Sequence, residues 1–169
     1  MIADIRSAPR SRFSPHFNKT ELTASLAARK IAYSFFGKEL DGRPQDPQLY
    51  SERIADYEKM AASSEFQFGL VRLMEAAAGR NLAVMCSEAD PLECQCHGFM
   101  LVGRALAAAG TDVRHILASG AVMTHAEAED RLLELENLAE EGLPLVFREE
   151  RLCQAYRNRS HKFAYCRRA

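Results

Sequence analysis

Apolar residues in this chain fall into short continuous runs separated by longer stretches with three-to-four spacing. That alternation builds a β/α arrangement around a parallel sheet. Ile2-Ala3-Asp4-Ile5, β-branched at two positions, predicts a strand that runs straight into the polar loop Arg6-Ser7-Ala8-Pro9-Arg10-Ser11-Arg12. Asn18 followed by Glu21 has the form of a capping box, opening a helix to about Lys30 on which Leu22 and Leu26 share a face. Residues 31–35 predict a second strand, and Gly37 to Pro47 a loop rich in Gly, Pro and Asp. Two helices are expected next, at about Pro47 to Ala62 and Glu65 to Ala78. The second carries Phe66, Leu70, Leu73 and Met74 on one side and stops at Gly79.

Asn81-Leu82-Ala83-Val84-Met85, a brief apolar run just after a turn, is the expected central strand, with Cys86 at its carboxyl end. A helix from about Cys96 to Ala109 presents Phe99, Val102 and Leu106 to the sheet and is stopped by Gly110. Residues 113–117 then make a further strand. Thr124 with Glu127 is a second capping box, for an acidic helix to about Glu141 closed by Gly142. The expected fold class is therefore α/β: a three-layer domain with a mostly parallel sheet of about four strands and helices on both faces. Residues 1–147 are expected to form a single domain, followed by a basic C-terminal tail at 148–169.

Composition agrees with one domain, since 169 residues that are 47% hydrophobic and 27% charged can bury roughly 70% of their unfolded surface. No run approaches the roughly 20 apolar residues of a membrane span, and Met1 to Arg6 lacks a basic-then-apolar signal layout. No membrane partner is expected, and the location is expected to be cytoplasmic. Five irregularly spaced cysteines argue for reduced thiols rather than a disulfide scaffold. The formal net charge of −1 hides an asymmetry. Residues 148–169 hold seven Lys or Arg against Glu149 and Glu150, about +5, which leaves 15 basic against 21 acidic residues before them, about −6. Such a tail can follow a nucleic-acid backbone or an acidic partner by charge alone. The plainer reading, given more weight, is a segment that folds back on its own acidic domain.

Candidate chemistry concentrates in residues 84–97, where Cys86, Cys94, Cys96 and His97 accompany Glu88, Asp90 and Glu93 on one strand-to-helix loop. Ligands of open parallel sheets bind outside the carboxyl ends of the strands, and two loops leave such ends. The loop Arg6 to Arg12 brings three guanidiniums with Ser7 and Ser11, a composition suited to phosphate or carboxylate. The second brings Cys86 and a helix N-terminus, whose free N–H groups favour an anion or a thiolate. The carboxylates of the same loop favour the protonated thiol, so the net shift is not legible from sequence. A cysteine phosphatase is disfavoured, because the stretch Cys86 to Leu92 is acidic and holds no arginine. Structural zinc sites pair their ligands in two knuckles, which Cys94-x-Cys96-His97 with a remote Cys86 does not match. No metal and no cofactor are expected. Taken singly, Cys86 and His115 are read first as packing residues, and Cys153 and Cys166 as incidental, with a tail ligand pair including His161 as the minor alternative.

Several motifs together carry a resemblance. Asp4-Ile5-Arg6-Ser7-x-Pro9-x-Ser11-Arg12, Phe17-Asn18-Lys19, Leu40-Asp41-Gly42-Arg43-Pro44, Phe66-x-x-Gly69-Leu70, Met85-Cys86-Ser87-Glu88-x-Asp90-Pro91 with Cys96-His97, and Val113-x-His115-Ile116 occur in this order. Over about residues 2–135 the chain resembles the uncharacterised bacterial and archaeal family called domain of unknown function 488. The resemblance implies a small α/β domain whose site is built by an Asp-x-Arg-Ser loop, a Gly-Gly-Arg-like loop and a Cys-x-Glu…Cys-His-Arg loop. It implies no activity. Three departures stand out. The chain begins directly at the Asp-x-Arg strand and so reads as N-terminally short, which would expose a sheet edge. Gly98 stands where the pattern has arginine. Either Cys94 or Cys96 matches the pattern's second cysteine.

The leading expectation is a site for a phosphate-bearing or nucleotide-like ligand. Asp4, Arg6, Ser11, Arg12, Arg43 and Cys96 would build it, with Cys86 as candidate nucleophile and Glu88 and His97 as candidate acid/base groups. The alternatives are a non-catalytic nucleic-acid or protein-binding module using the basic tail, and a degenerate, inactive copy.

Overall fold

The computed structural model describes residues 1–88, 90–92, 96–139 and 147–167. Its elements are, in order, β1 (Ile2–Asp4), α1 (Lys19–Ala28), β2 (Tyr33–Phe35), β3 (Tyr50–Ser51), β4 (Ile54–Ala55), α2 (Tyr57–Ala62), α3 (Ser64–Ala77) and β5 (Ala83–Met85). A π-helical segment (Gly98–Gly103) runs into α4 (Arg104–Ala108), followed by β6 (Arg114–Ile116), β7 (Val122–Thr124), α5 (His125–Leu135) and α6 (Arg148–Phe163).

The fold is of mixed α/β type around a small parallel sheet. β1 lies between β2 and β5 and runs parallel to both, with Asp4 level with Phe35 on one side and Met85 on the other. The three carboxyl ends therefore finish together. The ladder continues one step past them, as Ile5 N–H donates to the Met85 carbonyl at 3.0 Å and Phe36 N–H to the Asp4 carbonyl at 2.8 Å. Ala3 and Ile5 are fully buried and join Phe36, Leu40, Phe66, Leu73, Leu92, Phe99, Leu132 and Tyr156 in one core.

Among the described residues this sheet has three strands rather than about four, and its centre is β1, not 81–85. β6 pairs antiparallel with β7 instead. The reason is local: Leu117 N–H bonds the Ala121 carbonyl at 2.9 Å, and Gly120, at φ 84°, closes the hairpin before residues 113–117 can reach the parallel sheet. Residues 47–62 also depart from the single helix expected. Asp46 caps only a 3-10 turn at Pro47–Leu49, Glu52 at φ 56° folds β3 back on β4, and α2 starts afresh where Asp56 accepts the Glu58 and Lys59 N–H groups.

The two capping boxes part ways. Thr124 and Glu127 form theirs reciprocally at the start of α5. Asn18 stands at the start of α1 but makes no side-chain cap, because its Oδ1 accepts the Ser11 N–H at 2.6 Å. α5 ends at Leu135, with Asn137 turning at φ 57°; the expected stop, Gly142, lies outside the described residues, as do Cys94 and Glu93.

α6 buries Leu152, Ala155, Tyr156, Arg151 and Arg159. Its basic groups meet the acidic remainder of the chain: Arg148 bonds Asp130 and Glu129, Arg157 bonds Glu58, and Arg159 pairs with Glu136. Beyond α6 the chain pairs with the β3–β4 turn, Ala55 N–H donating to the Tyr165 carbonyl and Arg167 N–H to the Arg53 carbonyl. That pairing fixes Tyr165 near the ends of the parallel strands.

Candidate functional site

At the carboxyl ends of β1 and β5 lies a cleft of about 60 Å³ lined by Arg6, Ser7, Gly42, Arg43, Tyr57, Ser87, Glu88, His97 and Tyr165. That volume holds a few waters or one small polar group. A second, larger cavity of about 340 Å³, between α2 and α6, shares Tyr57 as a wall.

Asp4 is completely buried at the end of the central strand. Its Oδ1 accepts from the Arg6 backbone N–H at 3.1 Å and Nε at 2.9 Å, while Oδ2 accepts from Arg6 Nη2 and from the Tyr33 hydroxyl, each at 2.7 Å. Burial raises the carboxyl's pKa, but these four bonds outweigh it and hold Asp4 below its ordinary range. Tyr33 is pushed up, first by burial and then by the carboxylate it serves. Arg6 Nη2 also reaches the Phe17 carbonyl at 2.9 Å, so the guanidinium is clamped from two sides at the cleft.

Among the described residues one bond orients His97. Its Nε2 lies 3.1 Å from the Ile5 carbonyl, which can only accept, so Nε2 carries the proton and Nδ1 keeps a lone pair. Burial lowers the imidazole's pKa and keeps it neutral. Gly42 packs flat on this ring: a Cβ there would fall 2.9 Å from Cγ and 3.1 Å from Nδ1. The next residue, Arg43, extends over the Tyr165 ring at 5.1 Å and makes no ion pair among the described residues. Asp41, just before them, is raised to about 6 by burial, against the pull of Arg43.

The thiols lie beside the cleft rather than along it. Cys86 Sγ is 3.5 Å from Cys96 Sγ and 3.8 Å from the Glu88 carbonyl. The bond from Cys96 is the main cause that lowers Cys86 to about 7, against burial, while Cys96 is pushed up by the same partner. The acidity of the loop is the smaller influence. Gly98 borders both sulfurs at ordinary contact distance. The π-turn that begins there is built around Gly103, where a Cβ would sit 2.9 Å from the Gly98 carbonyl.

Of the residues singled out from sequence, Arg6, Arg43, Glu88 and His97 line the cleft, Asp4 holds Arg6 from behind, and Cys86 and Cys96 meet next to it. Ser11 and Arg12 do not line it. Ser11 Oγ accepts the Phe13 and Ser14 N–H groups at 3.2 Å, and Arg12 is exposed. Tyr57 and Tyr165 line the cleft without any sequence signal, because one opens α2 and the other arrives by long-range pairing. The Tyr57 hydroxyl makes no hydrogen bond among the described residues; burial first, then Cys96 and Glu88, raise its pKa.

Guanidiniums and an oriented imidazole thus surround a small polar cleft at the strand ends of a parallel sheet in an α/β fold. The chain belongs to the family described as Domain of unknown function DUF488, which it matches over residues 1–102. The matched span contains Asp4, Arg6, Arg43, Cys86, Glu88, Cys96 and His97, whereas Val113-x-His115-Ile116 lies beyond it. No curated protein and no solved structure matches the chain. Among the described residues no helix is long and apolar enough to cross a membrane.

Proposed function

We propose that the cleft binds a small phosphate-bearing ligand through Arg6 and Arg43, as a cytoplasmic α/β domain acting on it chemically. The observation that carries this reading is the state of the two guanidiniums. Arg6 is clamped at the cleft by a buried carboxylate, and Arg43 lines the same cleft over an aromatic ring and makes no ion pair among the described residues. Such groups suit bidentate recognition of a phosphate oxygen pair. His97 Nδ1 is the acceptor for a proton leaving a bound group, with Glu88 as the second acid/base candidate. Cys86 is the candidate nucleophile, and its lowered pKa favours the reactive thiolate.

Isothermal titration with inorganic phosphate and with a nucleoside monophosphate tests this reading. Arg43 is exposed, so Arg43→Ala leaves the core intact. It is expected to weaken binding about tenfold, the worth of one charge-assisted hydrogen bond. Equal affinity in the variant, or no binding to the native protein, would remove the reading. The nucleic-acid alternative is weaker, because Arg148, Arg157 and Arg159 already face carboxylates of the same chain.

A further inference from the structure

We propose that Cys86 and Cys96 form a peroxide-reactive dithiol, in which a hydroperoxide oxidises Cys86 and Cys96 resolves it to an intramolecular disulfide. Cys86 is also the candidate nucleophile beside the phosphate cleft, but the dithiol chemistry needs no phosphate ligand and stands if phosphate fails to bind. Ten residues separate the two cysteines in sequence, yet the end of β5 and the start of the π-helical segment bring their sulfurs to 3.5 Å. A disulfide needs about 2.05 Å, so closure takes a movement of about 1.5 Å, within reach of a side-chain rotation. Gly98, which borders both sulfurs, offers no side chain to cover them. Cys86 is half-buried and Cys96 is buried, the division of labour expected of an attacking and a resolving thiol. The other described thiols lack such a partner: Cys153 accepts from Arg104 and Cys166 is exposed beside the Arg167 carbonyl.

The chemistry balances with the peroxide as the only oxidant. The Cys86 thiolate attacks one peroxide oxygen, the O–O bond breaks, and the departing oxygen leaves as water or an alcohol after taking up a proton. Cys86 is then a sulfenic acid. Cys96 gives up its proton and attacks that sulfur, the S–O bond breaks, and the oxygen leaves as water. Two thiols lose two electrons and the peroxide gains them. A small dithiol reverses the step by exchange. The groups that face Cys86 are Cys96, whose S–H stabilises the thiolate, and Glu88, while Tyr57 lies near Cys96. With Cys86 lowered to about 7, its thiolate fraction rises about tenfold from pH 6 to pH 8.

The test treats the full-length reduced chain with hydrogen peroxide, alkylates the remaining thiols, and maps the peptides without reduction. Two of the five cysteines are expected to be lost together as a peptide linked through Cys86 and Cys96, restored by dithiothreitol. The rate should rise about tenfold between pH 6 and pH 8. In Cys96→Ser the expected product is a Cys86 sulfenic acid that dimedone traps. All thiols surviving excess peroxide, or a disulfide linking any other pair of cysteines, would overturn the proposal. Loss of phosphate binding alone would leave it standing.

Discussion

Asp4 shows how one buried carboxylate organises the site. A charge taken out of water at a strand end is costly unless its lone pairs are used, and here both oxygens accept two bonds each. The result is a guanidinium that cannot swing away from the cleft. Asp4→Ala removes the partner and leaves Arg6, whose side chain is only 11% exposed, with an uncompensated charge. The expected loss is about 3 kcal/mol or more of unfolding free energy, read from urea titrations at neutral pH. A variant within a few tenths of the native value would show that Arg6 turns out to solvent at no cost. Gly42 plays the complementary part, since its missing side chain is what lets the His97 ring lie against the backbone there, where a Cβ would fall 2.9 Å from Cγ.

At the scale of elements, similar sequence signals led to different outcomes. Thr124 caps α5 through both halves of its box, so Thr124→Ala is expected to cost about 1 kcal/mol, measured as a lower urea midpoint with an unchanged slope. Asn18 is committed to Ser11 and holds the Arg6 to Arg12 loop, so the cap that Asn18 and Glu21 spell out does not form. Elements with a strong local signature were legible in the chain: the apolar runs that become β1, β2 and β5, and the stripe Phe66, Leu70, Leu73 of α3. What could not be read depends on distant partners or unmarked turns. Nothing in Ser51-Glu52-Arg53 announces the left-handed turn that splits residues 47–62. The position of Cys86 at a strand's carboxyl end was legible, but its meeting with Cys96, and the arrival of Tyr165, come from long-range packing.

The whole molecule is tied together by α6 and a buried polar chain. His115 Nε2 lies 3.0 Å from His125 Nδ1, His125 Nε2 lies 3.2 Å from the Tyr156 hydroxyl, and that hydroxyl donates to Glu129 at 3.2 Å. One direction of donation satisfies every member: His115 to His125, His125 to Tyr156, Tyr156 to the carboxylate. The chain joins the β6–β7 hairpin, α5 and α6 around Phe99, and it requires His125 to be neutral, since its Nδ1 is the acceptor for His115. Burial, aided by each histidine's cationic or imidazole neighbour, lowers both to about 4. An unfolded chain takes up these two protons near pH 6.5, whereas the folded chain refuses them until about pH 4. Stability is therefore expected to be complete above pH 6.5 and to fall as the pH drops through that window, by on the order of 2 kcal/mol at pH 5 for the buried His125 and by less for the partly exposed His115, whose charge solvent screens. Urea titrations at pH 7.5 and pH 5 measure it, and in His115→Gln, which keeps a hydrogen-bonding side chain but cannot titrate, the smaller part of the fall should disappear. A midpoint unchanged between the two pH values would mean that the histidines charge freely in the folded state, and that the buried chain does not join the hairpin to α6 as drawn.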